Sequence, residues 1–380
     1  MWPIISLPFR RLVFWLHLTV GVIAGTVIFV LSLTGMLLGY ERQIVAAFDS
    51  RGTVTVPADG VRLGLDQLLV RASIDQRSVS TITVRAAPEQ AVLVRPAATR
   101  ALPVFLDPYS GASLPPPVGG PVRTFMSKVR QWHLVLGAPE GAWTPVAHAV
   151  SGVAVSALLL LVPMGLWLWW PARWTRASIG RLLWFQPALR GRARDFNWHN
   201  SVGVWSAAPL FVMALTSVLL VYQWPNELIQ RIGTSPRPAA PASDQTTHSP
   251  DAPFASWSVL HDAVTRRHPA WRVVTFTRGR PDQKPVVVQA VVLEGNTFRP
   301  DLRTVLLLDA VTALPVRVVE YAAMPVGRRL LAWVRYTHTG EAFGLAGQTV
   351  ATLASAAGVL LTWTGLALAW RRFRTRVSRR

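Results

Sequence analysis

Residues 12–40, LVFWLHLTVGVIAGTVIFVLSLTGMLLGY, run for 29 positions without a charge and carry a single histidine, His17. A bilayer core about 30 Å thick needs roughly 20 apolar residues in a helix, so this stretch is long enough to cross it. Three more charge-free runs follow at 141–172, 196–226 and 342–370, of 32, 31 and 29 residues. Four transmembrane helices are therefore predicted. The first apolar run far exceeds the roughly 7–15 residues of a signal-peptide core, so it reads as an uncleaved anchor. Pro163 and Pro209 fall inside the second and third runs, where each is expected to kink its helix.

Composition agrees. Of 380 residues, 51% are hydrophobic and 15% charged, where a soluble domain averages about 25% charged. There are no cysteines, which removes disulfides, thiolate metal sites, iron–sulfur clusters and covalently attached haem. Histidine is left to carry any metal chemistry, and there are eight.

The net charge of +20 invites a nucleic-acid reading, but its distribution argues against one. Segments 1–11, 173–195 and 371–380 hold 14 Arg against the lone acid Asp195, while segments 41–140 and 227–341 hold 25 Lys/Arg against 18 acids. Basic residues in short loops mark the cytoplasmic side, so both termini are expected there and the long loops outside. Trp15, Trp167, Trp169, Trp170, Trp174, Trp198 and Trp370 cluster at the same boundary, as interfacial aromatics do.

Both long loops repeat one pattern. Residues 63–74 read as a helix, followed by strands at 79–86 and 90–95 and a strand–Asp–turn–strand hairpin at 104–114. Residues 256–267 read as a helix, with strands at 271–277 and 285–293 and a second hairpin at 305–318. Proline-rich residues 233–255 read as a linker. The spans repeat too. His17 is followed by Gly21, Phe29, Thr34 and Tyr40, and His199 by Gly203, Phe211, Thr216 and Tyr222 at the same offsets. Aligning Gly165 with Gly365 brings His338 within five residues of the equivalent of His133 and sets His148 against Gln348.

The expected fold is a mainly α, internally duplicated membrane protein. Its parts are an N-terminus (1–11), helix 1 (12–40), an α+β module (41–128), an interfacial segment with helix 2 (129–172) and a short loop (173–195). Helix 3 (196–226), a linker and second module (227–335), helix 4 (336–370) and a basic tail (371–380) complete it.

His17 and His199 enter their helices from one face, and His133, His148 and His338 lie at the other. Two neutral imidazoles on facing helices are what axial ligation of a b-type haem requires, and Gly21, Ala24, Gly25, Gly203, Gly344, Ala346 and Gly347 leave room for a macrocycle. The pairs are His17 with His199, and His338 with His133 or, in competition, His148. Other readings stay open: an interfacial histidine also serves as a polar residue reaching headgroups, and intramembrane histidines serve proton transport. The charge-free runs hold no Asp or Glu to support a proton path. His248 falls in the linker, and His261 and His268 read as surface residues. Arg10, Arg173, Arg335 and Arg371 end spans, as topology anchors or haem-propionate partners. No G-x-G-x-x-G follows a strand in a cytoplasmic segment, so an electron donor has to be a separate molecule.

WLHLTVGVIAG (15–25), VRQWHLVLG (129–137), GLWLWWPARW (165–174), RDFNWHNSVGVW (194–205) and YTHTGEAFGLAGQ (336–348) resemble the PepSY-associated transmembrane family of bacterial inner-membrane proteins. The hairpin at Asp107, Pro108, Tyr109 and Gly111 resembles the turn of PepSY modules; the second copy, from Asp309, lacks the Pro and Gly. The resemblance implies iron-regulated proteins of siderophore utilisation, and within them ferric-siderophore reductases of the ferrioxamine type. It implies two b haems per chain on His17, His133, His199 and His338, a ferric siderophore as substrate, and a quinol or cytoplasmic electron donor. A siderophore permease, or a PepSY-type binding or regulatory protein, is the alternative.

Overall fold

The computed structural model describes residues 7–49, 54–97, 103–115, 120–171, 175, 180, 183–232, 253–279, 287–295, 299 and 302–377. The chain divides into two compact units, one of residues 1–41, 123–229 and 331–380, the other of residues 42–122 and 230–330. Most of the linker, His248, Arg173 and Trp174 lie outside the described residues.

The first unit is helical. Its long helices are α1 (Leu7–Leu38), α5 (Trp143–Trp169), α6 (Gly191–Val221) and α10 (Gly344–Val377). Each is long and apolar enough to cross a membrane. They form exposed apolar surfaces, with Ile23, Val153, Trp205 and Trp363 all more than 60% accessible. In water that would be untenable over four helices, and in lipid it costs nothing. The helices pack in the cyclic order α1–α5–α6–α10, so α1 lies diagonally across from α6. Both α5 and α6 continue through Pro163 and Pro209 as unbroken helix.

Two shorter helices precede spans: α4 (Gly120–Val135) before α5, and α9 (Val326–His338) before α10. His338 therefore ends α9 and does not lie on the fourth span. Gly340 and Gly344 both take positive φ (76° and 62°), which only glycine adopts without strain, and they turn the chain between α9 and α10. The corresponding turn before α5 uses Leu136 and Gly137, at φ 52° and 75°. These two connectors differ in length.

The second unit contains α3 (Leu65–Arg71), α8 (Trp257–Arg267) and eight strands. In chain order these are β1 (Val79–Arg85), β2 (Val92–Pro96), β3 (Val104–Leu106), β4 (Ser113–Leu114), β5 (Trp271–Arg278), β6 (Val287–Glu294), β7 (Arg303–Asp309) and β8 (Pro315–Val319). Helices α2 (Glu41–Asp49) and α7 (Gln223–Arg231) follow the first and third spans. The two loops do not fold as separate modules. Their strands make one antiparallel sheet in the order β4-β3-β2-β1-β5-β6-β7-β8, fused at β1–β5, where Ile82 faces Phe276 and Val84 faces Val274. Pairing the two first strands removes two exposed sheet edges that isolated modules would carry.

Alternation explains which side is covered. Val79, Ile82 and Val84 on β1, and Val274 and Phe276 on β5, are buried under Leu65, Leu68 and Leu69 of α3 and Trp257, Leu260 and Val264 of α8. The helices are locked to each other by Asp66, whose carboxylate accepts from Trp257 N (3.0 Å) and Ser258 N (2.9 Å) at the start of α8. Ser258 Oγ accepts from Asp66 N in return, at 3.3 Å. Partial burial alone would raise the Asp66 pKa, but the hydrogen bonds from Ser258, Ser256 and Trp257 outweigh it and hold the carboxyl below its ordinary value.

The two hairpins share a turn despite their different sequences. Asp107 Oδ1 accepts from Tyr109 N (2.8 Å), and Asp309 Oδ1 accepts from Val311 N (2.9 Å) and Thr312 N (2.8 Å). Gly111 supplies the left-handed residue of the first turn at φ 76°, and Ala313 takes that place in the second at φ 58°. The aspartate, not the Pro or Gly, sets this geometry.

Candidate functional site

The diagonal of the bundle brings histidines together. His17 on α1 and His199 on α6 face each other with ring centroids 6.4 Å apart and planes at 87°. His133 on α4 and His338 on α9 lie 6.3 Å apart with planes at 42°. His148, on α5, is exposed and outside both pairs. The structure thus brings together four of the five candidate residues in two pairs, and His133 rather than His148 stands opposite His338.

Three of these imidazoles are held through Nδ1. His133 Nδ1 donates to Leu31 O (3.1 Å) and lies 3.0 Å from Thr34 Oγ1. His338 Nδ1 lies 3.3 Å from Met213 O and 3.2 Å from Thr216 Oγ1. His199 Nδ1 lies 3.0 Å from Thr364 Oγ1. Among the described residues, no hydrogen bond engages Nε2 of His17, His133, His199 or His338. Four imidazoles in an apolar bundle, each with its outer nitrogen uncommitted, suit a shared ligand between them.

The spacing can be tested against a haem. Two axial metal–nitrogen bonds of about 2 Å each place the ring centroids roughly 6 Å apart. Both pairs match that figure. Surrounding glycines give a second test. A Cβ on Gly165 would come 3.3 Å from His17 Cε1, and one on Gly365 the same distance from His199 Cε1. On Gly35 it would come 3.2 Å from His133 Cε1. A side chain there would require the imidazole to give by a few tenths of an ångström.

Gly21 and Gly203, the equivalent residues one turn beyond His17 and His199, are different. An added Cβ would meet only Leu161 Cδ2 at 3.9 Å or Leu361 Cδ2 at 3.6 Å, ordinary contact distances. Protein packing does not require glycine at either position, so room beside the histidines is what they provide. The other small residues first read as cofactor room divide. A Cβ added at Gly25 would come 3.2 Å from Leu366 Cδ2, and one at Gly347 would run into the backbone of Gly340. Gly344 is explained by its positive φ. The residues present therefore fit a macrocycle held by the His17–His199 pair, with Gly21 and Gly203 flanking it.

Charges at the His199 end are internally balanced. Asp195, 2% exposed, takes Arg194 at 2.9 Å and Arg371 at 3.0 Å. Arg10 donates to Leu168 O at 2.9 Å. Arg335 is exposed. Arg371 is thus committed to a buried carboxylate, as an anchor of α10 to α6.

The sheet unit holds the remaining described histidines, of which His268 is buried and His261 partly buried. His261 packs edge-on against Trp271 (5.4 Å), and burial lowers its pKa despite the opposing Asp262 carboxylate. His268 is 9% exposed with Nδ1 at 3.1 Å from Glu294 Oε1. They do not approach each other through a ring contact, and no cluster of three metal-ligating side chains occurs among the described residues. Of the residues around the bundle histidines, Thr364 was missed by sequence reading. Its signal is its place beside Gly365, the glycine that aligns with Gly165.

The sequence profile of the PepSY-associated TM region matches residues 14–372, nearly the whole chain. No curated protein matches it.

Proposed function

The chain belongs to the PepSY-associated transmembrane family, and we propose that it is a di-haem b reductase of the bacterial inner membrane that delivers electrons to ferric siderophores. The observation that carries this reading is the pair of facing imidazoles at each end of one bundle, with Nε2 uncommitted on all four rings. Their separation supports a transmembrane route. Gly35, which touches His133, lies 35 − 17 = 18 residues beyond His17 on α1, about 27 Å at 1.5 Å per residue. That is close to the thickness of the hydrocarbon core.

His17 and His199 would hold one haem near the cytoplasmic face, and His133 and His338 the other near the periplasmic face. When bound, each haem supplies a one-electron Fe(III)/Fe(II) couple. The chain's own residues fix the rings, exclude water by burial in the bundle, and hold the two sites on one set of helices. Both termini are assigned to the cytoplasm and the sheet unit to the periplasm by the placement of arginines. The overall reaction takes one electron per ferric chelate from a quinol or cytoplasmic donor. It yields Fe(II), which a hard-oxygen ligand holds less tightly, and the free siderophore.

The test is electron transfer across a sealed membrane. Protein in liposomes, given a reductant inside and a ferric hydroxamate with a ferrous-specific chromophore outside, should produce external Fe(II) at a rate that falls at least tenfold in His338→Ala. Siderophore flux without Fe(II) would support a permease instead. A preparation that reduces nothing and carries no haem would end the reductase reading.

A further inference from the structure

Thr34 and Thr216 occupy matched positions of the repeated span, each 17 residues after His17 or His199. Both are buried, and both sit against a histidine of the other pair. Thr364 is 1% exposed and sits against His199. All three hydroxyls spend their only proton in the same way. Thr34 donates to Val30 O (2.7 Å), Thr216 to Val212 O (2.8 Å) and Thr364 to Leu360 O (2.7 Å). Such back-bonding is common for threonine in apolar helices and by itself means nothing. Thr362 does it too, toward Gly358 O at 2.8 Å, with no histidine beside it.

Its consequence at the other three is specific. With the proton committed, the hydroxyl oxygen can only accept from the histidine, so Nδ1 must carry the ring proton. For His133 the Leu31 carbonyl, and for His338 the Met213 carbonyl, demands the same, since a carbonyl only accepts. Nε2 is then the lone-pair nitrogen, and it points away from the helix that holds Nδ1.

His17 departs from this arrangement. Gly165 faces it as Gly365 faces His199, each at 3.3 Å from Cε1. But the residue before Gly165 is Met164, where Thr364 precedes Gly365. His17 Nδ1 is buried with the Leu161 carbonyl near it, yet makes no hydrogen bond of good geometry.

We propose that Thr34, Thr216 and Thr364 are positioning residues that hold His133, His338 and His199 as the Nδ1–H tautomer with Nε2 presented to haem iron, and that His17 is the one ligand without such a hydroxyl. The inference rests on the di-haem reading. A hydrogen bond from Nδ1–H makes the imidazole a stronger donor and favours ferric iron. Removing it raises the potential of that haem alone. The haem on His17 and His199 has one hydroxyl-supported ligand, and the haem on His133 and His338 has two.

The test is a redox titration of the purified holoprotein, each potential assigned by its loss in His17→Ala or His338→Ala. Thr364→Val should raise only the His17–His199 potential, by a tenfold change in ferric preference, equivalent to about 59 mV for one electron. Thr34→Val and Thr216→Val should raise only the other, and by less, because Leu31 O and Met213 O still accept from Nδ1. Thr364→Ser should restore the wild-type value, and Met164→Thr should lower the potential that Thr364→Val raises. Loss of one haem in Thr364→Val with retention in Thr364→Ser also supports the assignment. Unchanged potentials in all three valine variants, with two haems retained, would overturn the inference and leave the di-haem reading standing. Absence of haem from wild type would overturn both.

Discussion

The bundle and the sheet are each assembled from corresponding pieces of the two halves of the chain, yet they treat polar groups differently. In the sheet unit the anchors close on one another: Asp66 on the backbone of α8, Ser258 on Asp66, Thr83 on Thr275 at 3.1 Å across the central strand pair. In the bundle, three histidines are bonded through Nδ1, and each ring stands about 6 Å, centroid to centroid, from its counterpart. Orphaned nitrogens are not confined to the bundle, since Nε2 of His261 and of His268 in the sheet unit is buried without a hydrogen-bond partner among the described residues. What sets the bundle apart is that its histidines stand in two facing pairs. Burial of a histidine does not make this distinction, since His268 is 9% exposed with Nδ1 against Glu294 Oε1 and has no paired ring among the described residues.

The comparison can be broken most severely at the glycines. Gly203→Leu fills the space beside His199 that no protein atom requires, so haem content should fall by about one per chain while the thermal midpoint of the sheet unit stays put. Haem quantified by its reduced spectrum checks it, and full retention would mean the glycine serves packing after all.

A smaller effect, of opposite kind, is expected in the sheet. Asp66→Ala removes two acceptors from the first N–H groups of α8 and should cost about 0.5–2 kcal/mol, as loss of a capping side chain does, without loss of haem. Because the folded-state pKa is depressed, its contribution is complete above the unfolded value of about 3.9 and is lost as pH falls through the lower folded value. Denaturant titrations at neutral and acid pH should show the wild type and variant converging toward the acid end. A difference that stayed constant with pH would assign the loss to packing.

The smallest effect lies in the second hairpin. Ala313 holds φ 58°, where a Cβ is strained, so Ala313→Gly should be neutral to stabilising by at most about 1 kcal/mol, the usual cost of that strain less the entropy glycine adds. Gly111→Ala in the first hairpin should do worse than that strain alone. Its Cβ would come 2.7 Å from Arg71 Cβ.

Much of this was legible in the sequence because charge and periodicity are local. Four charge-free runs became four long helices, and the alternating runs became strands within a few residues of their expected ends. The pairing of His17 with His199 was visible because equal offsets to Gly, Phe, Thr and Tyr exposed the repeat. What escaped depends on contacts between segments far apart. The β1–β5 join links residues about 190 positions apart, and nothing in either strand announces that its partner is the other loop. Along the sequence His148 stood as the alternative to His133. They separate only when α4 and α9 end beside each other and His148 is left on an outer face of α5. Thr364 escaped as one threonine among several in an apolar run, marked only by the Gly365 beside it.

The most direct test of the central claim is haem per chain in the purified protein and in three variants, by reduced-minus-oxidised absorption. Wild type should carry two b haems, His17→Ala and His338→Ala about one each, and the double variant none, while His148→Ala keeps two. A wild-type protein that is folded and colourless, or a double variant that still holds haem, would contradict the account.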